Sequence, residues 1–269
     1  MPELPEVRTV AGVLKKLINK KIVRINIHYP KIINQNSLDI KLLIGKTLKD
    51  INTIGKYLLF DFEEYILISH LRMEGKYYIK NINAPLNKHE HLEFIFNDST
   101  SLRYHDTRKF GRMHLVKSKD LNKVESIAKL GGEPFALSKE EFYNKISKKK
   151  ISIKSLLLDQ TIIAGLGNIY ANEVLFASKI NPFKLGLEIT LEEADAILDA
   201  SIKILNLAIK EKGTTIKSYT SSLGVAGNYQ KHLKVHLKSG EKCEVCHSEI
   251  LQTKIGGRST YYCPVCQKY

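Results

Sequence analysis

A chain of 269 residues, 43% hydrophobic and 26% charged, has the composition of a folded globular protein with length enough for two cores. No apolar run approaches the length of a membrane span, and the N-terminus lacks a basic-then-apolar signal pattern. Both observations argue against a membrane or secreted class and lead us to expect a cytoplasmic protein. Forty-two Lys and Arg against 28 Asp and Glu leave a net charge of +14; the excess runs along the whole chain and suits a polyanion partner, nucleic acid first.

The chain opens Met1-Pro-Glu-Leu-Pro-Glu-Val7. Removal of Met1 would leave Pro2 with a free secondary amine. An α-amino group has a pKa of roughly 8, and partial burial lowers it by penalising the charged form. Such an amine is a nucleophile near neutral pH, with Glu3 beside it as a proton donor or acceptor. The plainer reading is a helix start, with Pro5 in the first turn and Glu6 favoured by the helix dipole.

Apolar residues at Val7, Val10, Leu14, Leu17 and Ile18 predict one amphipathic helix from about Pro5 to Ile18. From Lys21 to Lys117 short β-rich runs follow, among them Ile22–His28, Tyr57–Phe62, Tyr65–Ser69, Leu92–Phe96 and Ser101–Tyr104. Their spacing predicts a sandwich or barrel. Gly131-Gly-Glu-Pro134 marks a break, and a helical pattern runs from Ser138 to Lys148-Lys-Lys150. Beyond Ile153 the signals stay helical. Asn168–Ala177 reads as one short helix, Thr190-Leu-Glu-Glu193 as the capping box of a long one, and Gly213 as its C-terminal stop. A Thr-, Ser- and Gly-rich loop spans 214–230, and short strands surround the cysteines that follow. The expected organisation is a domain over 1–118, a connecting segment over 119–150, a second domain over 151–231 and a terminal module over 232–269.

Cys243-Glu-Val-Cys246 and Cys263-Pro-Val-Cys266 are separated by sixteen residues. Two such pairs match a tetrahedral zinc site on a β-hairpin. Four protein thiolates fill the coordination sphere, so the Zn2+ would be single and structural. Gly256-Gly-Arg258 would form the projecting tip, where an arginine suits a phosphate contact. His105-Asp-Thr-Arg-Lys-Phe-Gly111 would present Arg108 and Phe110 on one arm, either as a wedge for a disturbed base stack or as an ordinary turn whose phenylalanine packs inward. Met73 is open to the same pair of readings. His89, His91 and Glu93 alternate and would share a strand face. Ala164-Gly-Leu-Gly-Asn168 places a glycine-rich turn before a helix, a geometry that accepts phosphate.

Taken together, these motifs resemble the bacterial formamidopyrimidine-DNA glycosylases, whose fold also covers endonuclease VIII. The resemblance rests on Met1–Val7, Gly55-Lys-Tyr-Leu-Leu59, the Arg108/Phe110 loop, Gly165–Glu173, Gly213-Thr-Thr215 and the four-cysteine finger, in the family's order along nearly the whole chain. It implies an α+β fold of two domains: an N-terminal β-sandwich flanked by a helix, then a helix-two-turns-helix domain carrying a zinc-finger hairpin. It also implies a bifunctional glycosylase and abasic-site lyase acting on oxidised purines in duplex DNA. Pro2 is then similar to the nucleophile, Glu3 to the acid/base, Glu6 to a carboxylate ordering the N-terminus, Lys56 to a lysine of strand cleavage, and Arg258 to the finger arginine. His70, His89, Arg108, Lys149 and Asn168 fall where the family contacts the DNA backbone. Met73, Arg108 and Phe110 fall where it fills the void of a flipped base, and 214–230 where it closes over that base. Two departures stand out. Thr107 and Lys109 replace the Pro and Arg of the Asp-Pro-Arg-Arg-Phe that the family commonly has, and Arg72 and Glu74 put charges around Met73.

Three other functions compete: an oxidised-pyrimidine glycosylase of the endonuclease VIII type, a non-catalytic zinc-containing DNA-binding protein, and a small-molecule tautomerase with an N-terminal proline. The last leaves the finger and the charge excess unexplained. Nothing reads as an oligomerisation seam, so a monomer without an obligate protein partner is expected.

Overall fold

The computed structural model describes residues 1–214 and 226–269; most of the 214–230 loop therefore lies outside the described residues. The chain divides into two compact units, Met1–Ala128 with Lys212–Asn228, and Lys129–Glu211 with Tyr229–Tyr269. No described helix is long and apolar enough to cross a membrane.

The first unit begins with α1 (Leu4–Leu14), which has proline in its first turn. The helix is shorter than its apolar spacing predicts: it tightens into a 3₁₀ turn at Lys15–Leu17. In a 3₁₀ turn residues three apart eclipse one another, and both Leu14 and Leu17 are fully buried. Left-handed Asn19 then ends the turn.

Eight strands follow: β1 (Ile22–Ile27), β2 (Asp50–Ile54), β3 (Tyr57–Asp61), β4 (Tyr65–His70), β5 (Lys76–Asn81), β6 (Glu90–Phe96), β7 (Thr100–His105) and β8 (Arg112–Lys117). They form two antiparallel sheets, β1-β6-β7-β5 and β2-β3-β4-β8. Alternate residues such as Leu58 and Phe60, Phe94 and Phe96, Leu102 and Tyr104, and Met113 and Leu115 enter one core shared by both sheets and α1. That is the expected sandwich. Beyond β8 lies a one-turn helix, α2 (Glu125–Ala128).

The second unit contains α3 (Lys139–Ile146), α4 (Ile153–Leu158), α5 (Asn168–Ala177) and α6 (Leu191–Lys210). Capping boxes open α3 at Ser138/Glu141 and α6 at Thr190/Glu193. The two turns joining α4 to α5 are held from inside by Gln160. Its amide nitrogen donates to the carbonyls of Leu158 and Leu166, and its amide oxygen accepts from Gly165 N–H. At the end of α6, Lys212 is the first left-handed residue (φ 62°) and Gly213 follows at φ 80°. The expected glycine stop is thus displaced by one position.

The finger hairpin pairs β9 (Leu251–Ile255) with β10 (Arg258–Tyr262). Its two-residue turn, Gly256-Gly257, has positive φ at both positions, as a hairpin turn of this type requires.

Candidate active site and nucleic-acid interface

Pro2, Glu3 and Glu6 are all buried at the start of α1. The Glu3 backbone N–H donates to one oxygen of the Glu6 carboxylate at 2.8 Å. The other oxygen accepts from Thr214 N–H at 2.7 Å. One carboxylate therefore fixes the first residues of the chain against a segment far away in sequence. Gly213 sits so close that a Cβ there would lie 2.7 Å from the Glu6 carboxylate.

Lys56 is 5% exposed and occupies the two-residue turn between β2 and β3, after Gly55 at φ 56°. The next residue, Tyr57, pairs with His70 across β3 and β4, and their rings meet edge to face at 4.6 Å. The Nδ1 of His70 accepts Arg72 N–H at 3.1 Å, so the proton of the neutral ring lies on Nε2. Burial, reinforced by the charges of Arg72 and Lys56, holds the His70 pKa down to about 3. His70 is therefore a neutral Nε2–H donor at physiological pH.

The 105–111 arm has an internal frame that its motif did not reveal. Asp106 is fully buried. Its carboxylate accepts the backbone N–H groups of Arg108, Phe110 and Gly111 at 3.0, 2.9 and 2.8 Å. An aspartate opening a turn by bonding N–H groups further on is a local sequence signal that could have found it. Tyr104 hydroxyl lies 3.3 Å from the same carboxylate, and a Cβ on either Gly75 or Gly111 would collide with it. The Met73 loop and the arm thus close on one hydroxyl. Phe110 points outward, 46% exposed, which corrects the inward-packing alternative. The Arg108 guanidinium lies over its ring at 4.6 Å. Met73 is half-buried and Arg108 exposed.

His89 is half-buried, with its ring 5.5 Å from that of His105. A register shift between Glu90 and Leu92 interrupts the alternation, so His89, His91 and Glu93 do not act as a set. His91 bonds the Asp106 carbonyl, while Glu93 pairs with buried Arg103 at 2.7 Å. Arg103 also bonds the carbonyls of Ile82, Ala84 and Pro85, shaping the loop before His89.

In the second unit, Asn168 begins α5 and its amide nitrogen donates to Ser259 carbonyl at 2.9 Å. The neighbouring Arg258 is exposed at the base of the hairpin turn, so this unit brings Asn168 and Arg258 together. Asn168 Oδ1 is buried without a hydrogen-bond partner. Lys149 is exposed beyond α3. The motif that ends on Glu173 gave this residue no role. This α5 residue is buried, and its carboxylate accepts three consecutive backbone N–H groups, those of Lys234, Val235 and His236, at 2.8, 3.0 and 2.8 Å. Burial pushes the Glu173 pKa up, and the three bonds oppose that shift. Asn172 bonds His236 Nδ1 at 2.8 Å and accepts from buried Lys154 at 2.6 Å. A polar network therefore ties the turn leading into the finger to α5.

The four cysteine sulfurs lie within 4.8 Å of one another and form the metal-ligand group found among the described residues. The Cys243–Cys266 and Cys246–Cys263 sulfurs are 3.8 and 3.3 Å apart. Sulfurs set about 2.3 Å from a zinc ion in a tetrahedron would be about 3.8 Å apart, so the donor set fits Zn2+ in both chemistry and size.

Three family models cover most of the chain: the formamidopyrimidine-DNA glycosylase N-terminal domain over residues 1–113, its H2TH domain over 130–220, and a zinc finger found in FPG and IleRS over 240–268. The formamidopyrimidine-DNA glycosylase of Ligilactobacillus salivarius is 47% identical over 272 residues, with 99% of both chains covered. The chain belongs to the formamidopyrimidine-DNA glycosylase family. Another relative of the same name, from Lactobacillus gasseri, is 45% identical with the same coverage. Among solved structures, a Lactococcus lactis FPG mutant in complex with Fapy-dG-containing DNA matches with a TM-score of 0.93 at 40% identity over the full length of both chains. The Lactococcus lactis Fpg complex with abasic-site DNA matches at 0.92 and 40% identity, covering 99% of this chain and 100% of that one. The C-terminal module is the family's zinc finger, with Cys243, Cys246, Cys263 and Cys266 as ligands of one structural Zn2+.

Proposed function

We propose that the protein is a bifunctional DNA glycosylase and abasic-site lyase of base excision repair. It acts on duplex DNA carrying 8-oxoguanine or ring-opened formamidopyrimidines. The observation that carries this reading is the double anchorage of Glu6, which holds Glu3 N–H and so fixes where residue 2 begins. The solved relatives bound to Fapy-dG and abasic-site DNA support the substrate class.

Once Met1 is removed, Pro2 nitrogen attacks C1′ of the damaged nucleotide. The glycosidic bond breaks, and the base leaves with its electron pair and takes a proton. Opening of the C1′–O4′ bond, with Glu3 as the acid/base, gives an iminium on Pro2. The iminium acidifies the C2′ proton; its loss expels the 3′ phosphate, and a second elimination expels the 5′ phosphate. Lys56 serves the strand-cleavage steps and Arg258 protonates in the second elimination. Water releases Pro2 from the unsaturated sugar fragment. Electrons balance without any redox partner. His70, His89, Arg108, Lys149 and Asn168 bind backbone phosphates. Met73, Arg108 and Phe110 fill the vacated stack, and the zinc holds the hairpin that carries Arg258. The enzyme works as a cytoplasmic monomer.

The test is borohydride reduction of the enzyme mixed with a duplex holding 8-oxoguanine opposite cytosine. A covalent protein–DNA adduct is expected, and none with Pro2→Gly or with Met1 retained. No adduct with this duplex or with abasic DNA would overturn the enzymatic reading in favour of a non-catalytic DNA-binding protein. A Lactococcus lactis relative bound to oxidised-pyrimidine DNA, 40% identical, supports a second reading in which oxidised pyrimidines are also substrates. Running the same trapping with such a duplex decides it.

A further inference from the structure

The two departures from the family pattern meet each other. Thr107, standing where the family commonly has proline, donates its hydroxyl to the Glu74 carboxylate. Glu74 follows Met73 and precedes Gly75, while Thr107 precedes Arg108. This contact joins the two segments read above as void fillers. It lies outside the buried bracket in which Tyr104 hydroxyl meets Gly75 and Gly111 and Asp106 holds the arm's backbone. The bracket fixes the base of each segment. It does not reach Thr107, whose side chain is exposed.

We infer that the Thr107–Glu74 hydrogen bond is a clasp that makes the Met73 loop and the Arg108/Phe110 arm move as one body. It takes over the stiffening that a proline at position 107 would supply by fixing φ. It also gives the Glu74 charge a partner on the protein. Thr107 and Glu74 are positioning residues: they act through Met73, Arg108 and Phe110. The inference rests on the void-filling reading of those three side chains.

The test is a double-mutant cycle read by stopped-flow fluorescence of 2-aminopurine placed beside 8-oxoguanine, which reports base extrusion. Thr107→Val and Glu74→Ala are each expected to slow extrusion about fivefold, the scale of one exposed hydrogen bond. The double variant should be no slower than either single one. Glu74→Gln keeps an acceptor oxygen and should extrude at the wild-type rate, which separates the clasp from a pure charge effect. Melting temperature should not change in any of the four, so misfolding does not imitate the result. Multiplying effects, a slow Glu74→Gln, or unchanged single variants would each overturn the clasp. Met73→Ala and Phe110→Ala run alongside. Slowed extrusion in both leaves the void-filling reading standing while the cycle judges the clasp; an unchanged rate in both removes that reading and the clasp with it.

Discussion

The Asp106 carboxylate takes the Phe110 backbone N–H at 2.9 Å, and by that bond the most exposed aromatic ring of the 105–111 arm is aimed by its most buried residue. Two further N–H groups share the carboxylate. Asp106→Ala would leave three donors without their acceptor, each costing about 1–3 kcal/mol where water cannot reach. We expect a lower melting temperature and base extrusion slowed at least tenfold, measured by calorimetry and by 2-aminopurine fluorescence. Asp106→Asn keeps acceptor capacity and should lose less of both.

Gly213 supplies a prediction with its own control. Its φ is 80°, and a Cβ there would lie 2.7 Å from the Glu6 carboxylate. Gly45 has a similar φ of 84° with nothing within 4 Å of the added atom. Gly45→Ala should cost only the backbone penalty, about 1–2 kcal/mol. Gly213→Ala should cost more in chemical denaturation and should also reduce borohydride trapping, because it displaces the carboxylate that anchors Glu3. Equal costs would remove the packing argument.

His70 makes stability fall on acidification. Its folded pKa is about 3, against roughly 6.5 in an unfolded chain. Between those values the unfolded state holds more protons, so stability rises with pH. The contribution is intact above about pH 6.5 and is lost progressively as pH drops toward about 3. Its slope approaches about 1.4 kcal/mol per pH unit. Denaturation of wild type and His70→Gln across this range should show the flatter curve in the variant. DNA affinity should show no titration attributable to His70 at neutral pH.

Glu173 links the helix that begins with Asn168 to the finger. Glu173→Ala removes the acceptor for three backbone N–H groups, a loss on the order of 3 kcal/mol. Zinc should pass to a chromogenic chelator at least tenfold faster, and DNA affinity should fall with it. Cys243→Ser should lose the metal outright. Unchanged zinc release in Glu173→Ala would show that the hairpin holds itself.

Local signals were legible in the sequence. The α5 limits and the Thr190 capping box were read to the residue because each depends on neighbours within one turn. The cysteine spacing named its metal because two Cys-x-x-Cys pairs carry the same coordination chemistry whatever lies between them. Other features depend on partners distant in sequence. Nothing near Glu6 announces Thr214, and nothing near Tyr104 announces that its hydroxyl leaves room only for glycine at both 75 and 111. The α1 helix ended early because burying both Leu14 and Leu17 favoured a tighter turn over the period that predicted its length. The positions that depart from the family, Glu74 and Thr107, looked like separate liabilities in one dimension and are partners in three.

The Glu6–Thr214 bond spans 208 residues, which has a consequence for synthesis. A ribosome delivers α1 first and Thr214 only after most of the chain has emerged, so the first residues must wait for their clamp. Until then the Glu6 carboxylate has water in place of Thr214 N–H. Completion of the clamp on the N-terminus is therefore a late event of folding, and a chain truncated before Thr214 keeps the local Glu3–Glu6 bond but lacks the one that ties it to the rest of the unit.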